Sequence, residues 1–101
     1  MKKILLIFFF FYLSNNVFAD TKIKLGLNIF NNKAVCGSCR TLQDAGATGK
    51  IGPNLDMLKP QIEQIINAVT NGIGVMPSWE GVLTTEEIES VAYYVFKSTN
   101  D

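Results

Sequence analysis

The feature that most constrains this chain is a pair of cysteines, Cys36 and Cys39, in a sequence that contains no histidine. A structural zinc site takes four ligands, typically cysteine and histidine, so this chain offers too few. A thioredoxin-like redox pair expects alternating strands and helices around it, and no such pattern surrounds these cysteines. Two uses of the pair remain: a structural disulfide, which an oxidising compartment permits, or covalent attachment of a cofactor.

The amino-terminal segment is typical of a secretory signal peptide. Lys2 and Lys3 precede an apolar run over Ile4–Leu13, and Val17 and Ala19 are small residues suited to a cleavage site after Ala19. An uncleaved membrane anchor is the alternative, but the run of about ten residues is half of the about 20 that a bilayer needs. The sequence therefore predicts a signal peptide over residues 1–19, a domain over residues 20–101 and a periplasmic or otherwise exported protein.

The predicted mature chain is small and weakly acidic. Without Lys2 and Lys3, seven basic residues face nine acidic ones, a net charge of −2. Nucleic-acid binding would need a basic face, so we expect no nucleic-acid partner and no membrane span after cleavage. A single domain of this size builds a thin core and often needs a disulfide, a metal or a bound cofactor for stability.

Three segments predict helices, and no strand is expected. Residues 22–30 alternate as a strand would, but a helix fits if Gly26 is tolerated at about 1 kcal/mol relative to alanine. A second helix begins at Pro60 and ends at Asn71, with Gly72 in the left-handed conformation. Thr84 and Glu87 form a capping box for the last helix, whose first turns are acidic. The fold class is therefore all-α, with three main helices joined by long loops. Loops of this length in a small domain predict that they surround a bound group.

The order of motifs resembles that of the small class I c-type cytochromes from Thr21 to about Lys97. The matching pieces are Gly26 and Phe30, Cys36 and Cys39, Gly52-Pro53-Asn54-Leu55, Asn71-Gly72, Met76-Pro77, and Tyr94. The resemblance implies a small cytochrome c-like domain with haem-wrapping loops, in which the first and last helices pack through Gly26 and Tyr94.

The resemblance also implies which residues hold one haem c. Cys36 and Cys39 would attach it through two thioether bonds, and Met76 would be the distal iron ligand. A further set would line the haem pocket: Gly52, Pro53, Leu55 and Trp79. We interpret Met57, the other methionine of the predicted domain, as a core residue.

The resemblance breaks directly after the second cysteine. The haem-attachment signature is C-x-x-C-H, and this chain has Arg40 at the position of the histidine. A guanidinium is always protonated and has no lone pair for a metal, so we do not expect Arg40 to ligate iron. If haem is bound, a guanidinium beneath the iron would be a buried charge beside a cation, so we expect its side chain to turn out, toward a haem propionate or solvent. Water, Lys33 or Lys50 would then take the proximal position; a single-base change of a histidine codon is an alternative explanation.

The function that follows from the resemblance is a periplasmic electron carrier with one covalent haem c. It is not an enzyme, and no catalytic side chains are implied; it would act as a monomer with redox partner proteins. Two alternatives stay open: an open-site haem sensor on the same scaffold, or a haem-free interaction module with a Cys36–Cys39 disulfide.

Overall fold

The computed structural model describes residues 20–100, and the predicted signal peptide lies outside them. Helix α1 covers residues 20–28 and continues as a wider π-helical turn over Ile29–Lys33. The turn carries Ile29 and Phe30 into the core, where both are fully buried. The alternating pattern of this segment is therefore helical, as preferred from the sequence, and not a strand.

Helix α4, Thr85–Asn100, is the longest helix of the described part of the chain. Its predicted capping box is confirmed: the Thr84 amide donates to the Glu87 carboxylate at 2.9 Å, and the Glu87 amide donates to the Thr84 hydroxyl at 3.1 Å. Lys33, at the end of the π-helical turn, pairs with the same Glu87. The end of α1 is thus held at the beginning of α4.

Two helices lie between α1 and α4. Helix α2, Leu55–Leu58, is a single turn that the sequence analysis missed; the Asn54 side chain caps it by accepting from two backbone amides. Helix α3 is Ile62–Asn71, so it begins two residues after the predicted Pro60. Gly72 ends it with a positive φ of 78°, but its ψ of 160° is extended and not left-handed helical as predicted.

A small hairpin follows the cysteines, although no strand was predicted. Strand β1, Thr41–Leu42, pairs antiparallel with β2, Ala47–Thr48, with Thr41 opposite Thr48. Two-residue strands leave no periodicity for the sequence to display. The all-α class is nevertheless confirmed, because α1, α3 and α4 form the body of the molecule.

The core includes the helix crossing, by which we mean the contact of Gly26 and Phe30, in α1 and its π-helical turn, with Tyr94 in α4. A side chain at Gly26 would clash with the Ser90 carbonyl oxygen and lie 2.5 Å from Tyr94 Cβ. The rings of Phe30 and Tyr94 meet edge to face at 6.2 Å between centroids. The Tyr94 hydroxyl donates to Asp44 at 2.6 Å. The predicted packing through Gly26 and Tyr94 is thus present.

No helix within residues 20–100 combines the length and the apolar character needed to cross a membrane.

Candidate functional site: an apolar cleft beside the cysteine pair

The two cysteines lie on a tight turn between α1 and β1. Val35 adopts a left-handed conformation with φ of 51°, and a 3₁₀ turn over Cys36–Ser38 follows. The amides of Cys39 and Arg40 both donate to the Cys36 carbonyl oxygen, at 3.1 and 3.0 Å. Both thiols are free and half-buried. The backbone therefore fixes two unpaired sulfurs on one short, rigid loop.

Hydrogen bonds and a glycine hold this turn against the following loop. Gly49 donates to the Gly37 carbonyl at 3.2 Å and Gly52 donates to the Cys39 carbonyl at 2.7 Å. A Cβ at Gly49 would lie 2.6 Å from the backbone of Cys39 and Arg40. Only glycine allows this approach, so the loop of residues 49–52 forms one wall beside the cysteines.

Burial raises the pKa of the Cys36 thiol to about 11, and the nearby Arg40 charge lowers it only in part. Cys36 is therefore a neutral thiol at physiological pH. A neutral, partly buried thiol is a weak nucleophile, which argues against a redox-active pair whose first cysteine is a thiolate.

The cysteine turn borders an apolar cleft made of two adjoining cavities of about 220 and 440 Å³. The smaller cavity runs between α3 and α4, and the larger opens between the cysteine turn and the loops of residues 51–53 and 73–79. Four residues line both: Cys36, Arg40, Ile73 and Met76. The predicted pocket residues are divided between the cavities: Gly52, Pro53 and Trp79 line the larger one with Cys39, and Leu55 lines the smaller one.

The loop after α3 carries Met76 into this cleft. A Cβ at Gly72 would lie 2.6 Å from the Met76 carbonyl oxygen, so the chain turns back there only because Gly72 has none. The Trp79 amide donates to the Val69 carbonyl at 2.8 Å, which ties the far end of the loop to α3. Met76 is half-buried in consequence, and it lines both cavities of the cleft.

Met57 is not a core residue, as we had interpreted it; its side chain is 81% exposed. It lies in the middle of α2, whose single turn buries only Leu55. The correction has a simple cause: α2 was not recognised as a helix, so the direction of its side chains was not predicted. Met76 is thus the methionine of the described chain that lines the cleft.

The side chain of Arg40 lines both cavities of the cleft. Its turning outward was expected of the haem-bound protein and stays a prediction. Its stem lies across Gly52, where a Cβ would come within 2.5 Å of Arg40 Nε. One guanidinium nitrogen, Nη2, lies 3.6 Å from the sulfur of Met76. Arg40 and Met76 thus lie in contact, and both line the two cavities of the cleft.

The two lysines considered as substitutes for the missing imidazole lie elsewhere. Lys33 is exposed and pairs with Glu87. Lys50 is exposed, and neither lysine lines either cavity. Neither lysine is therefore placed to replace the histidine of C-x-x-C-H, whose sequence position is occupied by Arg40.

The residues of the cleft that could hold a covalently attached haem fit it only in part. Two free thiols with the C-x-x-C spacing and a thioether line one apolar cleft, which suits attachment and one axial ligand. The second axial position does not fit, because Arg40 has no lone pair to donate.

The mouth of the cleft is apolar and exposed. Four large aliphatic side chains stand around it with exposed fractions from 49 to 86%: Val35, Ile51, Ile73 and Val75. Exposed apolar residues that cluster around one opening are unusual on a small monomer and indicate contact with another molecule.

Comparison with known proteins identifies the family. Residues 22–95 match the family model described as cytochrome C oxidase, cbb3-type, subunit III. The chain is 35% identical over 89 residues to chloroplastic cytochrome c6 from Chlamydomonas reinhardtii, covering 78% of this chain but only 56% of that one. It is 38% identical over 74 residues to cytochrome c6 from Microcystis aeruginosa, covering 69% of this chain and 89% of that one.

A solved structure agrees with the sequence comparisons. The c-type cytochrome SorU from Sinorhizobium meliloti is 50% identical and superposes with a TM-score of 0.75, covering 79% of this chain and 93% of that one. The small cytochrome c-like fold is therefore confirmed. The chain belongs to the class I c-type cytochromes, a family of electron carriers with covalently bound haem c and not of enzymes.

Proposed function

We propose that this chain is an exported, periplasmic electron carrier that binds a single haem c through Cys36 and Cys39, with Met76 as an iron ligand. The observation that carries the proposal is the convergence of two free thiols and one thioether on a single apolar cleft. Haem supplies reversible one-electron chemistry when it is bound. Everything else in the proposal concerns how this chain holds it and what meets it.

The chain's own residues would set the surroundings of the haem. Cys36 and Cys39 tether it, and the Met76 thioether binds from the loop after α3. Gly52, Pro53, Leu55 and Trp79 exclude water from its faces. An apolar, low-dielectric cleft favours the less charged oxidation state, so these residues would tune the reduction potential as well as hold the cofactor.

Redox partners would dock at the mouth of the cleft. Val35, Ile51 and Val75 present exposed apolar surface there. Such a patch is small, and electron-transfer encounters are among the specific complexes that bury the least surface, which suits rapid exchange of partners. A monomer with this patch free is the form that we propose.

Export would depend on the signal peptide of residues 1–19, with cleavage after Ala19. In this proposal the chain is exported first, and haem is attached to the mature domain outside the cytoplasm. Amino-terminal sequencing of periplasmic material tests the cleavage; a mature chain that begins at Met1 contradicts it.

A single purification tests the cofactor. The full-length gene is expressed in a host that attaches c-type haem, and the periplasmic protein is denatured and extracted with acidified solvent. Haem that stays with the polypeptide, together with a visible spectrum that changes reversibly on reduction, supports the carrier. Protein without haem contradicts it and favours the haem-free module with a Cys36–Cys39 disulfide.

A further inference from the structure

The cysteine turn, residues 35–40, begins with a backbone conformation that its sequence does not favour. Val35 has φ of 51° and ψ of 44°, in the left-handed region. A β-branched residue is an outlier there, because its Cβ crowds the carbonyl oxygen that follows. Among residues 20–100, Lys59 is the only other residue besides glycine with a positive φ. The turn therefore starts at a strained residue.

Neither core packing nor the turn itself accounts for a valine at this position. The Val35 side chain is 49% exposed, and glycine or asparagine would end a helical segment here more readily. The Val35 carbonyl accepts from the amide and the hydroxyl of Ser38, at 3.2 and 2.8 Å, but these bonds stay within the turn. A strained backbone persists only where the surrounding structure holds it. The strain must therefore be held by another part of the chain.

The loop of residues 49–52 is the part of the chain that lies against the turn. The Gly49 amide donates to the Gly37 carbonyl at 3.2 Å, and the Gly52 amide donates to the Cys39 carbonyl at 2.7 Å. Gly49 comes so close that a Cβ there would lie 2.6 Å from backbone atoms of Cys39. These contacts join backbone atoms and use no side chain that points into the cleft. The loop thus holds the turn by its backbone, and Gly49 is the point of closest approach.

We infer that Gly49 is a positioning residue for haem attachment: it holds the strained turn in the conformation in which Cys36 and Cys39 line the larger cavity together. The inference rests on the proposed function, because it concerns how the two sulfurs are presented for thioether bonds. Each bond forms when an S–H group adds across a vinyl double bond of haem, so no atom leaves and no oxidant is needed. Without the loop, Val35 relaxes toward the extended conformation that a β-branched residue prefers, and the two sulfurs are no longer presented together.

A double-mutant cycle tests the coupling between the loop and the strained residue. Gly49→Ala pushes the loop off the turn, Val35→Gly removes the strain, and a third variant carries both changes. Lys59→Gly, alone and together with Gly49→Ala, is the matched control, since Lys59 is also left-handed but lines neither cavity. Each full-length gene is expressed in a host that attaches c-type haem. Alkylation of the denatured protein and mass spectrometry count the cysteines without a thioether bond, and thermal melting measures stability.

We expect Gly49→Ala to raise the share of chains with an unbonded cysteine by at least about twofold, the smaller end of the coupling between residues in contact. Val35→Gly alone should keep both thioether bonds and raise the melting temperature by about 4 °C or more, because the backbone strain is relieved. Added to Gly49→Ala, Val35→Gly should restore both bonds, whereas Lys59→Gly should restore neither.

Unchanged thioether bonds in Gly49→Ala overturn the inference, and so does a failure of Val35→Gly to restore them or an equal rescue by Lys59→Gly. If Gly49→Ala yields no folded protein, the double variant with Val35→Gly decides: folded protein with both bonds supports the inference, and none overturns it. Each of these contradicting results leaves the proposed function standing as long as the unaltered chain carries haem. An unaltered chain without haem overturns both proposals.

Discussion

The helix crossing and the cleft lie on either side of Phe30, and they differ in how far the chain satisfies its own atoms. At the crossing, the apolar atoms of Gly26 and Tyr94 are in contact, and the Tyr94 hydroxyl has a carboxylate partner in Asp44. In the cleft, the Met76 thioether is the only acceptor that Arg40 finds within residues 20–100, and both thiols are free.

The cleft, unlike the crossing, needs another molecule to complete its contacts. A close-packed contact with its polar groups paired gains nothing from a ligand. A cavity that holds an uncompensated charge and two unpaired thiols is stabilised by a ligand that pairs with them. Substitutions at the crossing should therefore change stability alone, while substitutions in the cleft should change what is bound and, through it, stability.

The largest effect should follow from removing both sulfurs of the cleft. Cys36→Ala with Cys39→Ala should abolish covalent haem, and the melting temperature should fall further than for any substitution at the crossing, since a bound cofactor adds to the free energy of folding. Solvent extraction of the denatured protein and thermal melting measure the two effects. Ser38→Ala on the same turn is the control and should keep its haem; extraction-resistant haem in the double variant contradicts attachment at these cysteines.

The next largest effect should be a gain. Arg40→His should raise haem content and melting temperature, because residue 40 already points across Gly52 into the cleft and an imidazole supplies the lone pair that a guanidinium lacks. The visible spectrum should become that of a low-spin iron with two strong ligands. Arg40→Gln, without a ring nitrogen, should not gain. If Arg40→His gains neither haem nor stability, the cleft differs from a histidine–methionine site by more than one residue.

Met76→Ala separates ligation from packing. We expect loss of the absorption band that reports sulfur–iron coordination while the haem stays attached, because the thioether lines the cleft and the cysteines are untouched. Met57→Ala is the matched control, since Met57 is exposed and outside both cavities. An unchanged band in Met76→Ala would show that Met76 only fills space.

At the crossing, Gly26→Val should cost about 1–3 kcal/mol of unfolding free energy through overpacking, because a side chain there meets Ser90 and Tyr94. Lys24→Val places the same residue at an exposed position of α1, so its effect on the helix alone can be subtracted. Chemical denaturation measures both. Equal midpoints for the two variants would mean that the crossing tolerates the added volume.

The smallest effect should be that of Tyr94→Phe, about 0.5–1.5 kcal/mol for one hydrogen bond. Burial, and then the bond to Asp44, raises the pKa of Tyr94 above its usual value of about 10. Its contribution is therefore constant below pH 10 and is lost as pH rises further, because the unfolded chain releases the proton first. As pH rises from 10 to 11, the free energy of unfolding should therefore decline less in Tyr94→Phe than in the unaltered chain. Tyr93→Phe, half-exposed beneath Lys22, is the control and should keep the full decline.

Features that depend on residues close together in the chain could be predicted from the sequence. The capping box of α4 needs only Thr84 and Glu87 three residues apart, so the beginning of that helix was predicted correctly. The contact between Gly26 and Tyr94, which are 68 positions apart, was predicted from the family resemblance. Hydrophobic periodicity alone does not connect two positions so far apart. The functions of Cys36, Cys39 and Met76 stay predictions that their shared cleft supports.

The direction of a side chain could not be predicted from the sequence where its surroundings come from distant parts of the chain, because it depends on tertiary packing. Met57 is exposed because it lies in α2, a helical turn that was not predicted. The Asn54 cap of this turn is local in sequence, but which of its side chains is buried depends on what the turn packs against. Arg40 enters the cleft because Gly52 leaves room for its stem and Met76, 36 residues away, meets its guanidinium. A long, flexible side chain has many rotamers of similar energy, and the packing around it selects among them.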